Sequence, residues 1–186
     1  MLSTNIKAET HSAHQELEGK VVRRLKAIRS NEDYADLLKY FYAYFSAIEN
    51  AIATYINESV IPDWANRRHA NAIATDIQEL GFSVNDLPPV VVPTISNTLQ
   101  ALGALYVMEG SIMGGPYIVQ MLKKGGLQNG FSFFSGYGEN TGQMWATFTA
   151  ILNNAASTET QQQEVIGAAD ETFSNFSKIF NVEKVV

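Results

Sequence analysis

The N-terminal segment carries three side chains, Lys7, His14 and Glu18, whose types and spacing suit the binding of a metal-containing ligand. Seven residues make almost two turns of an α-helix, so Lys7 and His14 are expected on one face, with Glu18 one turn further along. A neutral imidazole binds a metal ion through one ring nitrogen, and its other nitrogen needs an acceptor, which Glu18 can provide. The ammonium group of Lys7, about 10 Å along the helix, can neutralise a carboxylate at the edge of a flat ligand.

Two other interpretations of this segment stay open on the residues alone. A single histidine on a helix is more often a satisfied or exposed side chain than a metal ligand. In addition, His11 and His14 are three residues apart, a spacing at which two imidazoles on one helix can hold a metal ion together.

A second candidate site lies where glycines and a proline interrupt a helical pattern. Gly110, Gly114 and Gly115 each weaken a helix by about 1 kcal/mol relative to alanine, and Pro116 removes a backbone hydrogen bond and favours a kink. A helix that keeps such destabilising residues usually does so because the absence of their side chains is required at that place. Gly110 and Gly114, one turn apart, would let the backbone contact something flat. The alternative is close packing of two helices through small residues, which the GxxxG pattern also indicates.

The composition indicates a single globular domain and excludes several kinds of site. The chain has 186 residues, of which 46% are hydrophobic and 17% charged, so one domain over residues 1–186 is expected. Cysteine is absent, which excludes disulfides, thiolate metal sites and cysteine nucleophiles. A net charge of −6 argues against nucleic acid and anionic membranes as partners. No apolar run approaches the ~18 residues of a membrane span, and the N-terminus lacks a signal peptide, so a cytoplasmic location is expected.

Apolar residues recur at helical spacing along almost the whole chain, which predicts an all-α fold of six or seven helices. The expected helices cover residues 3–28, 30–52, 62–81, 94 or 96 to 124, 140–155 and 158–181. Ser30 and Asp33 have the spacing of a capping box, and the aromatic residues within 40–45 are assigned to the core. Three prolines predict a loop at 87–93. The glycine- and phenylalanine-rich segment 127–138 is either a lid or a packed connection.

Two segments resemble the haem oxygenase family. Residues 6–14 look like the family's proximal helix, in which a threonine stands four residues before the iron-binding histidine, as Thr10 stands before His14. Residues 106–115 look like the distal helix of the bacterial branch. Further similarities lie at residues 133–138, Trp145, Phe148, Phe173, Phe176 and Phe180. The two main motifs lie about a hundred residues apart, in the order that the family has.

The resemblance implies a single-domain helical bundle that holds haem between a proximal helix and a kinked distal helix. It assigns haem contacts to Lys7, His14, Glu18, Tyr106, Gly110, Gly114, Phe173 and Phe180, with His14 as the iron ligand, and the distal catalytic positions to Gly110, Ser111 and Gly114. Lys7 would contact a haem propionate, and Glu18 would be the hydrogen-bond partner of His14. The implied reaction converts haem, O₂ and electrons to biliverdin, ferrous iron and CO. The electrons would come from a donor such as a ferredoxin or a flavin reductase.

Two residues on the distal helix bear on whether the chain is catalytic. Ser111 follows the first distal glycine, where mammalian-type members have an aspartate that holds a water network and bacterial-branch members have a serine. Pro116, directly after the glycine pair, departs from the family's pattern. These features keep a second hypothesis open, namely a non-catalytic haem carrier or sensor with the same fold.

A third class, a helical enzyme without haem, fits the sequence less well. A di-iron carboxylate oxidase needs Glu-x-x-His pairs, and none of His11, His14 and His69 has a glutamate three residues before it. A thiaminase-like hydrolase would lack its usual cysteine nucleophile. Arg67 and Arg68, which precede His69, are predicted to lie on a solvated helix face with it.

Overall fold

A computed structural model of the protein describes residues 1–181, and the regular structure within this range is helical. The α-helices are α1 (Leu2–Glu9), α2 (His11–Ala27), α3 (Asn31–Ile52), α4 (Asn71–Glu79), α5 (Thr98–Lys124), α6 (Ser132–Ser135), α7 (Thr141–Ala155) and α8 (Glu159–Ile179). The all-α prediction is confirmed, and none of these helices is both long and apolar enough to cross a membrane. The last residues of the expected domain, 182–186, lie outside the described range.

The predicted first helix is divided at Thr10, so that expectation was wrong in one respect. Thr10 has φ −88° and ψ 4°, and it ends α1 and begins α2. Its buried hydroxyl donates a hydrogen bond to the carbonyl of Ile6 at 2.7 Å, a local bond that competes with regular helix geometry. Lys7 and His14 therefore lie on two different helices.

The third predicted helix is also shorter than expected. Residues Trp64–Asn66 form a single 3₁₀ turn, and α4 begins only at Asn71. Between them, Arg67 is extended, with φ −79° and ψ 154°. Because residues 67–69 are not helical, Arg67, Arg68 and His69 do not share the helix face that was predicted for them.

Helix α3 begins with a cap close to the predicted one. The Ser30 hydroxyl accepts a hydrogen bond from the Asp33 amide at 3.1 Å, as expected. The Asp33 carboxylate, however, accepts from the amide of Arg29, one residue before the cap, at 2.9 Å. Of the aromatic residues within 40–45, all but Tyr42 are buried in the core as predicted, and Tyr42 is partly buried. Phe41 contacts Phe176 edge-to-face at 5.0 Å between ring centroids.

Among the described helices, α5 and α8 make the most extensive contact with each other, and a glycine permits their close approach. A Cβ atom added to Gly103 would collide with the carbonyl oxygen of Val165 and lie 2.9 Å from the Cβ of Ala168. Helix α2 is tied to α8 through Lys20, which donates to the Ser177 hydroxyl at 2.8 Å. These contacts fix α2 and α5 relative to the core and leave a space between them.

Candidate functional site

A cavity of about 580 Å³ lies between α2 and α5, with α3 and α8 behind it. This volume is within the range of about 300–1,000 Å³ typical of small-molecule and cofactor pockets. The walls are mostly apolar, and they include the following predicted site residues: Lys7, His14, Glu18, Tyr106, Gly110, Ser111, Gly114 and Phe173. The two candidate sites found in the sequence therefore face one cavity.

The histidine side of the cavity is built by α1 and α2. His14 is exposed toward the cavity, and its ring contacts Phe173 of α8 edge-to-face at 5.2 Å between centroids. Glu18 lies one turn further on and lines the same wall, although no hydrogen bond joins its carboxylate to the His14 ring within the described residues. Lys7 reaches this wall from α1, and His11 from the first position of α2. An imidazole with free ring nitrogens thus faces an apolar space that has a cation at its edge.

The opposite wall shows that the neighbouring glycines of α5 serve different purposes. A Cβ atom at Gly114 would meet no atom within 4 Å, and one at Gly110 would lie 3.7 Å from the ring of Trp145. A Cβ atom at Gly115 would instead collide with the carbonyl oxygen of Phe134 on α6. Gly110 and Gly114 therefore keep a strip of helix backbone open to the cavity, whereas Gly115 allows α6 to pack closely.

Ser111, on the same wall, is held by a residue that sequence analysis placed in solvent. The Ser111 hydroxyl donates to the carbonyl of Met108 at 2.7 Å and accepts from Nη2 of Arg68 at 2.8 Å. The Arg68 guanidinium also donates to the carbonyls of Met108, at 2.9 Å, and Phe133, at 2.8 Å. It lies 3.9 Å from the centroid of the Phe133 ring. Burial lowers the pKa of Arg68 to about 10, against the opposing effect of nearby carboxylates.

Arg67 is likewise turned inward. Its side chain is fully buried, and Nη1 donates to the Glu109 carboxylate at 2.6 Å while Nε and Nη2 donate to Asp63 at 3.0 and 2.8 Å. Burial acts to lower the pKa of Arg67, but the hydrogen bonds that Arg67 donates to Asp63 and Glu109, together with the charges of these carboxylates, outweigh it and leave the pKa raised. The Tyr137 hydroxyl lies 3.1 and 3.2 Å from the two Glu109 oxygens and accepts from the amide of Arg68 at 2.9 Å. The prediction of a solvated face for Arg67 and Arg68 was therefore wrong.

The remaining predicted residues lie outside the cavity or in its outer wall. Phe180 does not line the cavity, and it stacks on Tyr40 at 5.4 Å between centroids. His69 is partly exposed, with Nδ1 3.3 Å from the carboxylate of Glu49. Helix α5 runs from Thr98 to Lys124 with Pro116 inside it. The segment 127–138 contains α6, and its buried aromatic rings make it a packed connection.

Comparison with known proteins identifies a family for this chain. The family model described as Heme oxygenase matches residues 1–182. Among characterised proteins, the chain is 28% identical to a heme oxygenase of Xanthomonas campestris over 147 residues, which cover 78% of this chain and 87% of that protein. It is 25% identical to heme oxygenase PigA of Pseudomonas aeruginosa over 174 residues, which cover 91% of this chain and 86% of that protein.

Solved structures support the same fold. The NO- and CO-bound heme oxygenase of Neisseria meningitidis superposes with a TM-score of 0.82 at 21% identity, covering 100% of this chain and 95% of that one. Heme oxygenase from Leptospira interrogans gives a TM-score of 0.80 at 19% identity, covering 96% of this chain and 98% of that one. Since the family model spans nearly the whole chain, this protein belongs to the heme oxygenase family.

Proposed function

We propose that this protein is a haem oxygenase that binds haem in the cavity between α2 and α5 and, with O₂ and electrons, converts it to biliverdin, ferrous iron and CO. The observation that carries the proposal is the pairing, across one apolar cavity, of an exposed histidine with a helix strip that has no side chains. Bound haem supplies the O₂-activating chemistry, and the protein supplies binding, orientation and shielding.

The residues of the cavity fit haem in size and chemistry. Lining side chains are predominantly apolar, as a porphyrin ring requires, and the open space beside Gly114 admits a flat group against the α5 backbone. His14 offers a neutral nitrogen ligand, which suits haem iron in a chain that has no cysteine. Lys7, exposed at the rim, offers a counter-charge for a propionate.

His14 and Glu18 on the histidine side, and two aromatic rings on the opposite side, have separate roles in holding the substrate. His14 binds the iron, and its edge-to-face contact with Phe173 restricts rotation of the ring. Glu18, one turn along α2, accepts a hydrogen bond from the second ring nitrogen of His14, directly or through water. Tyr106 and Trp145, whose ring centroids are 5.6 Å apart, form the aromatic wall beside Gly110.

The reaction also needs an external electron donor, for which a ferredoxin or a flavin reductase is the proposed class, and we place the protein in the cytoplasm. A non-catalytic carrier or sensor would use the same cavity, but no feature of the described residues favours it over catalysis. Whether hemin is consumed with a reductant under air distinguishes the two functions.

The test is a hemin titration followed by aerobic turnover. The wild-type protein should give a Soret band that decays to biliverdin absorption when a reductant is added, and chromatography should identify the bilin. His14→Ala should lose or shift the Soret band. His69→Ala, which changes a partly exposed histidine outside the cavity, serves as the control and should behave as wild type.

A third histidine variant separates the two ligand assignments that the N-terminal segment leaves open. His11 lines the cavity one turn before His14, so His11→Ala tests it directly. If His11→Ala removes the Soret band and His14→Ala does not, the iron ligand is misassigned. If wild-type protein gives a stable hemin complex and no bilin, the catalytic proposal is wrong.

A further inference from the structure

Arg68 does not line the cavity, but it donates a hydrogen bond to the hydroxyl of Ser111, which does. Ser111 belongs to the wall formed by α5, which we call the distal wall. We propose that Arg68 is a positioning residue that fixes this hydroxyl as a hydrogen-bond acceptor toward the cavity. The inference rests on the proposed haem-degrading function. It gives Ser111 a role different from direct proton donation. It also assigns a function to Arg68, a partly buried arginine that does not line the cavity.

The hydrogen bonds of Ser111 determine the direction in which its hydroxyl proton points. A serine hydroxyl has one proton to donate and two lone pairs that accept. The proton is directed to the carbonyl of Met108 at 2.7 Å, and one lone pair accepts from Nη2 of Arg68 at 2.8 Å. Arg68 can only donate, so the serine proton cannot turn toward it. What remains for a group in the cavity is the second lone pair of Ser111.

Arg68 is held so that this arrangement persists. Its guanidinium donates to two backbone carbonyls, those of Met108 and Phe133, and lies over the Phe133 ring. Its amide donates to the Tyr137 hydroxyl at 2.9 Å. The flat guanidinium makes these bonds from two nitrogens at once, whereas a lysine ammonium has a single nitrogen at the end of a flexible chain. Arg68 therefore links α5, α6 and the segment before α4 at the position of Ser111.

An acceptor on the distal wall orients a water molecule or another donor, and it does not protonate a bound ligand. The two roles have opposite effects on the proton equilibrium at the distal coordination position of the ferric hemin complex. An acceptor stabilises the more protonated, acid form, while a donor stabilises the alkaline form. The acid–alkaline transition of the hemin complex, a change in visible absorption with pH, reports this equilibrium without turnover.

Ser111→Ala is the decisive variant. With Ser111 as an acceptor, its removal should lower the pH midpoint of the transition by about 0.5 unit, the size expected for one hydrogen bond. In an Arg68→Met background the hydroxyl is free to turn, so adding Ser111→Ala should shift the midpoint by less than half as much. In an Arg68→Lys background, the shift caused by Ser111→Ala should be larger than in the Arg68→Met background and smaller than in the wild type. Arg23→Met, an exposed arginine on α2, is the matched control and should leave the Ser111→Ala shift unchanged.

The possible results are distinguishable. A rise in the midpoint on Ser111→Ala, or an equal shift in the wild-type and Arg68→Met backgrounds, would overturn the role of Arg68 and leave the proposed function intact. If Arg68→Met does not fold, as judged by circular dichroism, the sign of the Ser111→Ala shift still decides between acceptor and donor. A wild-type protein without a Soret band would overturn the proposed function, and this inference with it.

Discussion

The guanidinium of Arg67 and the carboxylate of Glu109 form a buried ion pair, with Nη1 2.6 Å from Oε2 and side chains that are 0% and 2% exposed. Glu109 directly precedes Gly110, so the pair anchors α5 just behind the strip that faces the cavity. A carboxylate in the middle of an apolar helix is stable only when it is paired and hydrogen-bonded. Asp63 and Tyr137 complete the network on either side.

Removal of one partner should be strongly destabilising. Arg67→Met removes the cation that is hydrogen-bonded to the buried Glu109 carboxylate and leaves Tyr137 as its hydrogen-bond partner, so the free energy of unfolding should fall by about 3 kcal/mol. Chemical denaturation measures this fall, and Arg23→Met, which changes an exposed arginine, should stay within about 0.5 kcal/mol of wild type. The double variant Arg67→Met with Glu109→Leu should lose less than the sum of the two single losses. Strict additivity would show that the two side chains are not coupled.

Two adjacent glycines should respond in opposite ways to the same substitution. Gly115→Ala places a methyl group against the carbonyl of Phe134 and should destabilise the protein by about 2 kcal/mol. Gly114→Ala meets no atom within 4 Å and should raise the free energy of unfolding by up to about 1 kcal/mol through helix propensity.

For hemin affinity, the order of the two variants should be the opposite of their order in stability. The methyl group of Gly114→Ala occupies the cavity, so its hemin complex should form more weakly and release bilin more slowly than wild type. A Gly115→Ala protein that remains folded should bind hemin more tightly than Gly114→Ala. Equal losses of stability in the two variants would contradict the division of roles between these glycines.

The contrast between Gly114 and Gly115 shows what the sequence can predict and where it stops. Glycines in a helical pattern indicate either ligand contact or close packing, and both are present here within one turn. Neighbouring residues differ by about 100° around the helix axis, so one faces the cavity and the next faces α6. Only the position of the Phe134 carbonyl, which no local pattern reveals, decides which glycine has which role.

The arginines that follow the 3₁₀ turn show the same limit more sharply. Two consecutive arginines in a polar stretch usually lie in solvent, and local patterning predicts that for Arg67 and Arg68. The partner that stabilises Arg67 is Glu109, 42 residues away in sequence. A glutamate in an apolar helix was the available signal, because such a carboxylate requires a buried cation, but it could not say which one. His14 and Glu18, by contrast, share a cavity wall as helix geometry predicts, because both lie on α2. Lys7 reaches the same wall from α1, across the division at Thr10, which the helical pattern did not predict.

A buried carboxylate on α4 should make the stability pH-dependent. Asp76 is fully buried, and it accepts hydrogen bonds from the amide and hydroxyl of Ser132 and from the amide of Phe133. Burial raises the pKa of Asp76 above its ordinary value of 3.8, despite these hydrogen bonds. The folded state therefore takes up its proton at higher pH than the unfolded state does. Its contribution to stability should fall as the pH rises from about 3.8 through the raised pKa.

Asp76→Asn isolates that contribution. An amide nitrogen cannot accept from the Phe133 amide, so the variant should be less stable at every pH. Because the variant does not titrate, the stability gap between wild type and Asp76→Asn should narrow as the pH rises above 4. Urea unfolding at several pH values between 4 and 7 measures the gap, with Asp86→Asn, in an exposed loop, as the control. A gap that widens with pH would mean that the hydrogen bonds outweigh burial at Asp76.

The charge of Lys7 should matter only for a ligand that carries carboxylates. Lys7 is exposed at the cavity rim, so its ion pair with a propionate is partly screened, and Lys7→Ala should weaken hemin binding by about two- to fivefold. The loss should shrink at high salt and disappear with hemin dimethyl ester, in which both carboxylates are blocked. Lys124→Ala, an exposed lysine that does not line the cavity, controls for net charge. If the ester and free hemin lose affinity equally, Lys7 acts by packing its aliphatic chain and not by its charge.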